Sequence, residues 1–196
     1  MAEVTVEQIK KLKELSGAGL TDAKKALVEA KGDFDKALEA MRKKGLTKAE
    51  KRGDRETREG LIAAYLQDGR LGAIVEVNCE TSFVAKTDEF KTLAHQIALQ
   101  IASMNPLYVS EADIPEADRK AKIKELEANF KGPENMKEKI HEGQVKKAFS
   151  DKVLMNQPYI LDDTKTVEQF IKEAIAKTGE NITIRQFKRI ELGVTE

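Results

Sequence analysis

Apolar residues recur at helical spacing three times within the first forty-odd positions. Val6, Ile9, Leu12 and Leu15 make one stripe, Ala23, Ala26, Leu27 and Ala30 a second, and Phe34, Ala37, Leu38 and Met41 a third. Thr5 with Gln8 reads as a capping box, Asp33 as the N-cap that follows Gly32, and Gly45 as a left-handed C-terminal stop. Ser16-Gly17-Ala18-Gly19-Leu20 reads as a tight turn between helices, its glycines taking positive φ and Leu20 displayed at the corner. A phosphate-loop reading of the same residues is weaker, because they follow a helix and no Gly-Lys-Ser/Thr comes after them. The pattern predicts a three-helix bundle over residues 1–45, with small alanines allowing close helix contacts.

From Leu46 to Glu59 the periodicity lapses into Lys48, Glu50, Lys51, Arg52, Asp54, Arg55, Glu56, Arg58 and Glu59. No face of this stretch can join a core, so residues 46–59 read as a charged, hydrated linker to a larger domain over residues 60–196. Leu61–Leu66 and Leu71–Asn78 flank Asp68-Gly69, a dipeptide suited to positive φ, and predict a β-hairpin. The second strand runs into Glu80-Thr81-Ser82-Phe83-Val84-Ala85-Lys86, a turn carrying a large aromatic. Taken alone, such a phenylalanine more often folds back into a core; the functional alternative is a wedge displayed toward a partner.

Phe90, Leu93, Ala94, Ile97, Ala98 and Ile101 then place one broad apolar face on a helix over Asp88–Met104, with Thr87 as N-cap and Pro106 as its terminator. Leu107-Tyr108-Val109 reads as extended. Residues 111–150 read as a charged helical excursion, with patterns at Glu116–Phe130 and Asn135–Phe149 broken by Gly132-Pro133. Val153–Ile160, which contains Pro158, reads as an edge strand. A helix bearing Val167, Phe170, Ile171, Ala174 and Ile175, capped by Thr166 and stopped by Gly179, leads to a final strand with Ile182, Ile184, Phe187 and Ile190. Strands separated by helices in this order predict an α+β fold, a small antiparallel sheet with helices packed against it.

Composition narrows the function classes. Lys plus Arg and Asp plus Glu each total 34, so the formal charge is zero although charged residues make up 35% of the chain. That balance, with aromatics at only 5%, argues against direct nucleic-acid binding, which wants a basic stripe and exposed aromatics. The single cysteine, Cys79, excludes an intrachain disulfide and fits a reducing cytoplasm. At a strand end with no histidine nearby in sequence, it reads as a small buried hydrophobe. His95 and His141 have no metal-ligand spacing, and the carboxylates are dispersed among lysines. No catalytic constellation, cofactor site or membrane segment is predicted.

Several pieces together resemble the bacterial elongation factor Ts family in its short form, over nearly the whole chain. They are Ser16-Gly17-Ala18-Gly19-Leu20 with Asp22-Ala23-Lys24-Lys25-Ala26-Leu27, Met41-Arg42-Lys43, Glu76-Val77-Asn78-Cys79-Glu80-Thr81 with Phe83-Val84-Ala85-Lys86, and Gln157-Pro158. The resemblance implies a ubiquitin-associated-like N-terminal bundle, a linker, and an α+β core that binds elongation factor Tu and releases its GDP, a non-catalytic exchange function. It implies that Thr81, Ser82, Phe83 and Val84 form the element that dislodges the partner's Mg²⁺, and that Leu12 and Leu20 touch the partner's nucleotide-binding domain. The family usually has aspartate where this chain has Ser82. Short members resembling this chain are thought to pair, so a homodimer is left open. A pure adaptor built on the N-terminal bundle is the competing class, and the extent of the core resemblance argues against it.

Overall fold

The computed structural model describes residues 4–16, 18–128, 143–144 and 147–194. Helices α1 (Val6–Ser16), α2 (Leu20–Glu29) and α3 (Phe34–Glu50) form the N-terminal bundle. The capping box is present: Thr5 N–H donates to Gln8 Oε1 at 3.1 Å, and Gln8 N–H donates to Thr5 Oγ1 at 3.2 Å. At the end of α2, Lys31 and Gly32 both take positive φ, and Asp33 caps α3 by accepting the Lys36 N–H at 3.1 Å. Leu12, Ala23, Ala26, Leu27, Ala37 and Met41 are the buried core, with Ile9, Phe34 and Leu38 packed around it.

Two expectations for this region are corrected. Gly19 is extended, at φ −67°, and acts as the N-cap of α2, so the turn does not need it for positive φ; Gly17 lies outside the described residues. Gly45 does not stop α3, which continues to Glu50. Its missing side chain serves a close approach instead, since a Cβ there would lie 3.1 Å from the Ala176 Cβ. Beyond it Ala49 is buried, and Arg52 Nη1 donates to the Ile175 carbonyl at 3.4 Å. The charged stretch is therefore hydrated on one side and tied to the protein on the other.

Strands β1 (Glu59–Gln67) and β2 (Leu71–Cys79) form the expected hairpin. Asp68 and Gly69 have φ of 51° and 63°, and Arg70 N–H closes the turn on the Gln67 carbonyl at 3.0 Å. Gly60 is required by contact, because a Cβ there would fall 2.2 Å from the Val77 carbonyl oxygen. After β2 come α4 (Ser82–Ala85), α5 (Asp88–Met104), α6 (Glu116–Ala128), β3 (Pro158–Tyr159), β4 (Asp162–Thr166), α7 (Val167–Thr178) and β5 (Ile182–Glu191). Strand β5 lies beside β2, giving a small antiparallel sheet in the order β1-β2-β5. The fold is α+β, as the sequence predicts. Val75, Val77 and Cys79 alternate inward on β2, while Leu66, Ile74, Ile190 and Leu192 are more than half exposed.

The Val153–Ile160 segment is not a regular edge strand. A 3₁₀ turn occupies Leu154–Asn156, and Pro158-Tyr159 pairs with β4 in a separate two-stranded sheet, which the sequence reading passes over. The Asn135–Phe149 pattern lies largely outside the described residues; 143–144 and 147–150 are helical.

The described residues within 1–63, 76–95 and 169–185 form one compact unit, and those within 64–75, 96–168 and 186–196 form another. The second contains a buried polar pair. Gln100 Nε2 donates to Gln157 Oε1 and to the Pro158 carbonyl, each at 3.1 Å, and Gln100 Oε1 accepts the Ile160 N–H at 2.8 Å. Gln157 Nε2 donates to the carbonyls of Met104 and Asp151. The Gln157-Pro158 motif is thus a satisfied structural node, which pins the chain after α5 to the β3 turn.

Candidate interaction site around the turn after β2

Helix α4 is one turn long, and its sequence decides which residues face inward. Successive residues sit about 100° apart, so a single turn that buries Val84 and Ala85 must direct Ser82 and Phe83 outward. Val84 and Ala85 are 7% and 8% exposed, whereas Phe83 is 81% exposed, the largest value among the exposed large hydrophobic residues described. Core burial, the commoner fate of a phenylalanine after a strand, is overturned here: the neighbouring valine and alanine fill the inward positions.

Two threonines bracket the turn. Thr81, extended at φ −129°, is the N-cap, its Oγ1 accepting the Val84 N–H at 3.4 Å. Thr87 closes the other end by donating its hydroxyl to the Val84 carbonyl at 2.8 Å, and its Oγ1 accepts the Phe90 N–H at 3.2 Å, which opens α5 as predicted. Ser82 occupies the first helical position, directly after the Thr81 cap.

The turn is also held from a distance. Thr81 N–H donates to Glu180 Oε2 at 3.0 Å, and the Thr81 hydroxyl donates to Glu180 Oε1 at 2.6 Å. One residue earlier, Glu80 Oε1 accepts the Asn181 N–H at 2.6 Å and lies 3.4 Å from Arg55 Nη1. Asn181 is 2% exposed and donates its amide protons to the carbonyls of Gly53 and Arg55 at 3.2 and 2.8 Å. Sequence reasoning misses Glu80, Glu180 and Asn181, because a carboxylate 99 residues from its partner leaves no periodic trace. The available local signal is Gly179-Glu180-Asn181 itself, an acidic and an amide residue directly after a helix-stopping glycine with φ 81°.

Cys79 donates its thiol to the Thr81 carbonyl at 3.2 Å. Burial, aided by the Glu180 charge, pushes its pKa up to about 11, so at neutral pH it is a thiol and not a nucleophile.

The structure separates the remaining site expectations. Phe83, Ser82 and Thr81 are exposed together, while Val84 anchors the turn from below. Leu20 is 52% exposed at the start of α2, but Leu12 is 0% exposed in the bundle core. Leu12 thus presents no surface, and its place in the stripe is explained by packing against α2 and α3. Val6, Leu15 and Val28 are more than half exposed on the bundle. His95 is exposed on α5, and His141 lies outside the described residues. Among the described residues, no three His, Cys, Asp or Glu side chains gather as a cation site, and no helix is long and apolar enough to cross a membrane.

Comparison with known proteins adds what geometry does not carry. The chain matches the family described as Elongation factor TS over residues 2–194. It is 53% identical over 194 residues to Elongation factor Ts of Thermotoga maritima, covering 97% of each chain. It is 46% identical over 194 residues to the protein of that name from Thermoanaerobacter sp. strain X514, covering 97% of this chain and 95% of the relative. Against the protein of that name from Rippkaea orientalis it is 49% identical over 199 residues, covering 98% of this chain and 80% of the longer relative. With a three-helix bundle, an α+β core and similarity running from end to end, this chain belongs to the elongation factor Ts family.

Proposed function

We propose that this chain is a translation elongation factor that binds elongation factor Tu and promotes release of its GDP, acting as a non-catalytic nucleotide exchange factor in the cytoplasm. The observation that carries the reading is the 81% exposure of Phe83 on a turn held by Thr81, Thr87 and Glu180. An aromatic ring held in water costs free energy that a partner can recover, and a held ring loses little freedom when it inserts.

An exchange factor must bind the nucleotide-free partner more tightly than the GDP-bound one, and the coupling is reciprocal. Full burial of a phenylalanine is worth ~2–3 kcal/mol. If the ring is buried only in the exchange complex, that alone loosens GDP roughly a hundredfold. Phe83 entering the partner displaces side chains near its Mg²⁺, whose oxygen ligands tolerate little change in geometry. Thr81 and Ser82 border the insertion, Val84 roots it, and Leu20 with the bundle that Leu12 holds together supplies anchoring.

The test is release of labelled GDP from the cognate partner. Phe83→Ala is expected to slow accelerated release by up to roughly a hundredfold, and to weaken docking onto the GDP-loaded partner far less. Unchanged release in that variant would remove Phe83 from the mechanism.

A further inference from the structure

We propose that Glu180 is a positioning residue of the exchange element, acting on Phe83 through Thr81. The proposal rests on the exchange reading above and adds the residue that sets the angle at which the ring is presented.

The geometry is a reciprocal clasp between two turns. Residue 80 gives its carboxylate to the backbone N–H of residue 181, at 2.6 Å, and residue 180 gives its carboxylate to the backbone N–H of residue 81, at 3.0 Å. Both Glu180 oxygens are used on Thr81, the second taking the hydroxyl proton at 2.6 Å. A hydroxyl has one proton and two lone pairs. With that proton directed at Glu180, a lone pair is directed at the Val84 N–H, the bond that caps α4. Glu180 therefore fixes both the backbone of the residue before α4 and the hydroxyl rotor that starts it.

This matters because α4 has four residues, too few to persist as a helix by local bonds. Burial of Val84 and Ala85 roots the turn but leaves its N-terminal end, where Ser82 and Phe83 emerge, dependent on Thr81. Glu180 is itself seated by its neighbour Asn181, whose buried amide is bound to two carbonyls ahead of β1. The carboxylate needs no contact with the partner to act. It reduces the conformations the ring explores before insertion, a cost that otherwise falls on the exchange step.

The experiment uses the full chain with Glu180→Ala, Glu180→Gln and Phe83→Ala. It follows fluorescent-GDP release from elongation factor Tu over a range of chain concentrations, and amide hydrogen exchange at Thr81 and Val84 in the free chain. Glu180→Ala is expected to lower the maximal release rate about tenfold while moving the half-saturating concentration less than about threefold, and to speed amide exchange at both residues. Glu180→Gln is expected to stay within about threefold of the parent rate, since its amide oxygen accepts the Thr81 N–H and its NH₂ group donates to the hydroxyl oxygen. The assignment is overturned alone if Phe83→Ala slows release and Glu180→Ala does not. It is also overturned if Gln and Ala are equally slow, which would make the charge itself the contact, or if the lost rate matches only the lost folded fraction in a thermal melt. Unchanged release in Phe83→Ala would overturn the exchange reading and this assignment together, whatever amide exchange at Thr81 shows.

Discussion

At Cys79 two influences act in one direction: burial and the nearby Glu180 carboxylate both disfavour the thiolate and hold the pKa at about 11, against an ordinary value near 9. The native state therefore keeps its proton over a pH range in which the unfolded chain loses it, so the thiol's contribution is complete below pH 9 and declines as pH rises toward 11. Urea midpoints at pH 8 and pH 10.5 are expected to fall further for the parent chain than for Cys79→Ala, and equal falls would mean that the thiol is not shielded. The sequence already marks Cys79 as a buried small hydrophobe, from its place at a strand end with no histidine nearby, and the structure sets it in line with the inward Val75 and Val77. The family resemblance treats Leu12 and Leu20 alike, and the residue pattern does not sort Val84 from Phe83. All four are apolar residues on helical or turn segments, and their exposures are fixed by which neighbours fill the inward positions.

The elements most readable from sequence are those whose signals are local and chemical. The Thr5–Gln8 box, the Asp33 and Thr87 caps, the Asp68-Gly69 turn and the Gly179 stop all depend on groups within three residues of one another. Gly45 misleads because glycine has two uses, positive φ and close approach, and only the position of Ala176 reveals which one applies. Strand β4 is missed because Asp162-Asp163-Thr164-Lys165-Thr166 has no apolar alternation and gains its strand character by pairing with Pro158-Tyr159. For α4, the cap on Thr81 leaves Ser82 free to change. An aspartate at that first helical position would complement the exposed N–H groups without displacing the cap. Ser82→Asp is expected to give GDP release equal to or faster than the parent, and a clear slowing would show that serine is matched to this chain's partner.

For the molecule as a whole, the end of α3 decides what a domain boundary means. Removing residues 1–45 would cut the helix at the glycine that touches Ala176 and leave Leu46–Glu50 as a stub too short to hold helical structure. Loss of Ala49 burial and of the Arg52 bond is worth on the order of 1–2 kcal/mol, or roughly 2–8 °C in a chain of this size. Calorimetry of residues 46–196 is therefore expected to show melting below the highest transition of the full chain. An unchanged transition would show that the end of α3 contributes nothing beyond the bundle.

The same joint sets a timetable for synthesis. Arg52 and the carbonyl it binds are separated by 123 residues, and Asn181 reaches back 128 residues to Gly53. At about 5–20 residues per second, the foot of α3 leaves the ribosome on the order of ten seconds before its partners exist. The bundle can gather its own leucines and alanines in that interval, but the join at residues 45–55 must wait for the C-terminal helix. Seating the N-terminal end of the protein is thus among the last events of its folding.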